Sequence, residues 1–125
     1  MINEILLGGL MLISPVSAKE PIPIFDEPST ECLALNMYHE ARGQGTAGLL
    51  AVSSVVMNRV KDERFPNTIC EVIKQAQTKP SWKDKTKMIP IRDKCQFSWF
   101  CDGKSDVPTD KKTYKRLLTI AKTLL

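Results

Sequence analysis

The stretch from Glu31 to Val60 constrains the fold more than any other part of the chain. It reads Glu-Cys-Leu-Ala-Leu-Asn-Met-Tyr-His-Glu-Ala-Arg-Gly-Gln-Gly-Thr and continues through an apolar run to Val-Val-Met-Asn-Arg-Val. Two helices joined by a tight glycine turn are predicted. Leu33, Met37 and Ala41 recur at helical spacing and define the buried stripe of the first helix. Glu40 falls three residues after Met37 and seven after Leu33, on that same side. A carboxylate there, in a last turn, needs a reason. The helix dipole disfavours negative charge at a C-terminus, and desolvation disfavours the ionised form. Both effects favour the protonated carboxyl that a general acid supplies near neutral pH. The competing reading is an ion pair with Arg42 or another base. Periodicity alone leaves both open.

The second helix follows directly. Gly43 is the expected C-terminal glycine of the first helix, Gly45 lets the chain reverse, and Thr46 is available as a cap. Leu49, Leu50, Ala51, Val52, Val55, Val56, Met57 and Val60 are apolar nearly all round, which predicts a buried central rod. With 125 residues the chain has room for one core. Only 6% of its residues are aromatic, so that core is aliphatic and helical. A net charge of +4 favours an anionic partner without identifying one.

The N-terminal residues belong to a different regime. Ile5 to Ile13 is a short apolar run, followed by Ser14-Pro15-Val16-Ser17-Ala18 with small residues at the positions of a signal-peptidase site. The run is too short for a comfortable transmembrane span. Residues 1–18 are therefore read as an export signal, or as an N-terminal anchor if uncleaved. Residues 19–29, with Pro21, Pro23 and Pro28, read as an extended linker. Ser29 or Thr30 then caps the Glu40 helix.

Beyond the second helix, Thr68-Ile69-Cys70-Glu71 is a capping box opening a third helix with Ile69, Val72, Ile73 and Ala76 on its stripe. From Gln77 to Lys94 no periodicity survives. Six basic residues (Lys79, Lys83, Lys85, Lys87, Arg92, Lys94) stand there against Asp84 and Asp93. The segment reads either as a solvated loop or as an electropositive lip over a cleft, with Trp82 as an aromatic platform. Gln96-Phe97-Ser98-Trp99-Phe100 is the best strand candidate, and Asp102-Gly103 a turn. Tyr114, Leu117, Leu118, Ala121 and Leu125 make a last amphipathic helix.

Cys32, Cys70, Cys95 and Cys101 form an even set downstream of the export signal, which implies disulfides with three possible connectivities. Cys95–Cys101 closes a short loop around the Phe-Ser-Trp segment, leaving Cys32–Cys70 to tie the first helix to the third. The spacings match no zinc site. His39 is the single histidine, so His39-Glu40 lacks the second ligand of a metalloprotease helix. No metal and no cofactor are expected.

Four ordered segments now resemble one family. Leu-Asn-Met-Tyr-His-Glu-Ala-Arg-Gly, Ala-Val-Ser-Ser-Val-Val-Met-Asn-Arg-Val, Arg-Phe-Pro-Asn-Thr-Ile-Cys-Glu-Val-Ile and Cys-Gln-Phe-Ser-Trp-Phe-Cys-Asp-Gly look like the SleB-type cell-wall hydrolases. The resemblance spans about Glu31 to Gly103. It implies a lysozyme-like, mainly α fold of the α+β class, with a small strand element near residues 95–101 and a catalytic domain over 30–125. It also implies cleavage of the peptidoglycan glycan strand by lytic transglycosylation, with Glu40 as the catalytic acid. Asn58, Gln96 and Ser98 are candidates for positioning sugar hydroxyls or N-acetyl groups, and Trp82 and Trp99 for stacking on sugar rings. Gln96 and Ser98 would share one strand face.

Two features depart from the family pattern. Gln44 stands where many members carry a second glutamate. The chain ends at Leu125, inside its last helix, where members usually continue with a tyrosine-containing segment. The expected partner is peptidoglycan, not nucleic acid, acting on it as an exported monomer, with membrane contact only through residues 1–18. Two other classes stay open: a non-catalytic peptidoglycan-binding envelope protein, and a stem-peptide amidase, which would want a metal triad or thiol that the chain does not offer.

Overall fold

The structure is a computed structural model that describes residues 27–125. The expected export signal or anchor (1–18) and most of the expected linker (19–29) lie outside the described residues. Within them the elements run α1 (Glu27–Ala41), α2 (Thr46–Lys61), α3 (Ile69–Ile73), β1 (Ala76–Pro80), β2 (Met88–Cys95), a 3-10 turn (Ser98–Cys101) and α4 (Lys111–Leu124). This is the expected α+β class. None of these helices is long and apolar enough to cross a membrane.

The central helix is α1, not α2. Thr30, Cys32, Leu33, Ala34, Asn36, Met37, Tyr38 and Ala41 are buried, and α1 packs against α2, α3 and α4. On α2 only Leu49, Ser53 and Val56 are buried, while Leu50 and Val55 are exposed. The all-round apolar pattern overstated its burial because no described element covers its outer face. Leu33 and Met37 on α1, Leu49 on α2, Ile69 and Ile73 on α3 and Leu117 on α4 form the centre of the core.

Local signals fared unevenly. The capping box is present: Thr68 Oγ1 accepts from the Glu71 N–H and donates to Glu71 Oε1 at 2.7 Å. Asp110 caps α4, its carboxylate accepting from the Thr113 N–H and hydroxyl. Gly103 adopts φ +82° in the expected turn, and a Cβ there would sit about 2.8 Å from the Arg92 guanidinium carbon. The α1–α2 corner is made differently from expectation. Neither Gly43 nor Gly45 takes a left-handed conformation, and Gly45 rather than Thr46 is the N-cap of α2. Helix α1 already includes Glu27 and Pro28, so Ser29 and Thr30 lie inside it instead of capping it. Proline in a first turn forfeits no intrahelical bond.

The segment from Gln77 to Lys94 is not a loop but most of an antiparallel hairpin. Ala76 pairs with Cys95, Thr78 with Pro90, Lys79 with Ile89 and Pro80 with Met88, with a bulge between the first two pairs. Asp93, in that bulge, takes φ +62°. Conversely, Ser98–Cys101 is a 3-10 turn rather than a strand. The Cys95–Cys101 bridge explains the inversion, since it draws together two residues six apart whose Cα atoms lie 6.1 Å from one another. A fully extended segment of that length would span roughly 20 Å. Both expected disulfides, Cys32–Cys70 and Cys95–Cys101, are formed and no described cysteine is free.

Candidate active site

Glu40 lies in the last turn of α1 and is exposed. The stripe that predicted its burial gives the right angle around the helix but not the coverage along it. Ala41 is buried, whereas Arg42 to Ala47 are all exposed, so the corner projects past the core. The competing reading, an ion pair with Arg42 or another base, finds no partner among the described residues. The Arg42 guanidinium lies 4.3 Å over the Tyr38 ring centroid. Among the described residues Glu40 forms no ion pair and no side-chain hydrogen bond.

The base of the corner is an aromatic stack. His39 lies nearly parallel to Trp99, with centroids 4.7 Å apart, and edge-on to Tyr38 at 5.1 Å. His39 Nε2 is 2.9 Å from the Asp106 carbonyl oxygen. A carbonyl only accepts, so that nitrogen carries the proton. Tyr38 Oη accepts from the Asp110 N–H at 2.9 Å. Hydrogen bonds from Thr109 and then Asp110 hold the Tyr38 phenol below its usual range. Burial pushes the Asp106 carboxyl up, against the opposing effect of His39. These contacts fix the residue next to Glu40 from three sides.

Trp99 is not a sugar platform. It is 5% exposed, and its indole N–H donates to Asn36 Oδ1 at 2.8 Å inside the core. Sequence reasoning missed Asn36, although a polar residue between Leu33 and Met37 on an apolar helix side was a usable signal. Trp99→Phe keeps a six-membered aromatic ring and removes the donor together with the pyrrole ring that carries it. It should cost about 1–3 kcal/mol by leaving the Asn36 oxygen unpaired. Urea unfolding checks this, and unchanged stability would mean the bond is unimportant.

The other candidates are dispersed. Gln96, just after β2, and Ser98, the first residue of the Trp99 turn, are exposed, and the stack of Trp99 on His39 carries that turn to the Glu40 end of α1. Gln96 also lines an open recess of about 410 Å³ with Gln75, Ala76, Gln77, Lys94 and Cys95. Asn58 is exposed twelve residues into α2, about 18 Å along the axis from the corner at 1.5 Å per residue. It is therefore not gathered with Glu40. Trp82 is at the hairpin tip, and the hairpin packs chiefly on the Ser98–Cys101 turn through β2. Gln44 folds back over Gly48 at the start of α2. Among the described residues no three His, Cys, Asp or Glu side chains gather as a metal site.

Residues 43–125 match the family model described as cell wall hydrolase. The chain belongs to the cell wall hydrolase family. Within this hydrolase the matched span holds α2, α3, the hairpin, the Trp99 turn and α4. Glu40 stands three residues before it, so its role rests on the motif and the corner geometry. No curated protein and no solved structure matches the chain.

Proposed function

We propose that this cell wall hydrolase cuts the glycan strand of peptidoglycan by lytic transglycosylation, with Glu40 as its one catalytic carboxyl. The observation that carries the reading is Glu40 itself. It stands in the Glu-Ala-Arg-Gly motif on an exposed corner, held by a helix whose preceding residue is clamped, with no counter-ion among the described residues.

Two-carboxylate hydrolysis needs a second acid placed to activate water or attack the sugar, and the family motif supplies only Glu40. Transglycosylation works with one. The Glu40 carboxyl gives its proton to the bridging oxygen as the bond to muramyl C1 breaks, and the leaving glucosaminyl unit departs as an alcohol. The carboxylate then takes the proton of the muramyl C6 hydroxyl while that oxygen bonds to C1. A 1,6-anhydro ring closes, no water is consumed, and Glu40 ends as it began. A glycan lying over the corner would exclude water from the reaction. The two disulfides suit an exported protein.

Mass spectrometry of digested sacculi tests this directly. Glycan fragments ending in 1,6-anhydro-muramyl units, one water lighter than hydrolytic ends, are expected. Reducing muramyl ends would make the enzyme a hydrolase. Released stem peptides on intact glycan would make it an amidase, and undigested sacculi that retain the protein would make it a binder.

A further inference from the structure

The outer part of the hairpin carries apolar and cationic side chains that the domain does not use. Residues 77–80 and 82–89 are all exposed, on both faces of both strands. Trp82 is 79% exposed, Met88 58% and Ile89 36%. Met88 pairs with Pro80 and Ile89 with Lys79, the last two pairs before the turn that carries Trp82, so the tip is apolar on both faces. Lys79, Lys83, Lys85 and Lys87 surround them, and the one acid is Asp84. Its carboxylate is occupied by the Thr86 N–H at 3.0 Å and the Thr86 hydroxyl at 2.6 Å. The turn is pre-formed: the Ser81 N–H donates to the Lys87 carbonyl and the Lys87 N–H to the Asp84 carbonyl.

We infer that this tip docks on an anionic phospholipid bilayer. Charge alone would suit any polyanion, including a phosphate-rich wall polymer, and a lone tryptophan would suit a sugar. Neither partner uses Met88 and Ile89. A bilayer interface uses every exposed group: indole at headgroup depth, Met88 and Ile89 in the acyl boundary, and lysine stems reaching back so that the ammonium groups meet lipid phosphates. Lysines on an uncovered two-stranded ribbon also disfavour its pairing with other strands. The inference is independent of the role of Glu40, because the tip projects from the hairpin and includes no residue of the corner.

The two tryptophans make the test local. Trp99 is buried and hydrogen-bonded, so a change in emission on adding vesicles reports Trp82. Full-chain protein is titrated with vesicles of phosphatidylglycerol and phosphatidylcholine, and with phosphatidylcholine alone. A blue shift and quenching by acyl-brominated lipid are expected with the anionic vesicles only. Replacing the four lysines by Gln should weaken binding to those vesicles about 1,000-fold, and replacing them by Arg should preserve it. Equal binding to neutral vesicles overturns the inference. So does sedimentation without any change in Trp82 emission, the result expected if Ile5–Ile13 alone held the lipid. Absence of vesicle binding, with lysine-dependent retention on sacculi, would reassign the tip to a wall polymer and overturn it equally.

Discussion

Glu40→Gln should abolish turnover on sacculi by at least about 100-fold, the low end for loss of a general acid, while leaving the fold intact. The two halves of that expectation have separate grounds. Glutamine is nearly the same shape but cannot deliver and recover a proton, so both the bond-breaking and ring-closing steps lose their catalyst. Glu40 is exposed and makes no side-chain hydrogen bond or ion pair among the described residues. The substitution therefore removes no native contact, and stability should change by no more than about 0.5 kcal/mol. Thermal unfolding and a zymogram on embedded cell walls give the two readouts. Glu63, also exposed, is the matched control, and Glu63→Gln should change neither. A folded Glu40→Gln protein with most of its activity would remove Glu40 from the mechanism.

How far the sequence spoke depended on the kind of information each element carried. Leu33, Met37 and Ala41 were legible because burial on α1 repeats at helical spacing and all three are in the core. Thr68 and Glu71 were legible because a cap is a contact between near neighbours. The hairpin was not. Both of its strands are edges exposed on both faces, so no alternation is selected, and Pro80, Pro90 and the lysines are residues that central strands avoid. Phe97, Trp99 and Phe100 had the composition of a strand, but the Cys95–Cys101 bridge leaves no room for one. The candidate site shows the same division. Motif and spacing pointed to Glu40, whereas its exposure depends on where the other helices end along α1. Trp99 looked like a sugar platform because an aromatic ring has the same letter in a groove and in a core. Its partner Asn36 lies 63 positions away.

The other large effect concerns Cys32–Cys70, which joins α1 to α3 across 38 positions. Chain-entropy reasoning scales the benefit of a crosslink with the logarithm of the loop it closes in the unfolded chain. That gives about 4 kcal/mol for this bridge and about 2 kcal/mol for Cys95–Cys101, whose separation is six. Against a total of roughly 5–15 kcal/mol for a typical domain, the first is decisive and the second is not. Cys32 is itself buried in the core beside Leu33, so alanine is the fairer replacement, leaving no buried hydroxyl. Removing the Cys32–Cys70 pair should therefore lower the urea midpoint about twice as far as removing the Cys95–Cys101 pair. The short bridge should show itself instead in hydrogen exchange, as faster opening of the Trp99 turn, because it anchors the base of the hairpin to that turn. If losing the Cys95–Cys101 pair costs as much as losing Cys32–Cys70, loop entropy is not what these bridges contribute. The turn would then be holding the core through Trp99, its hydrogen bond to Asn36 and its stack on His39.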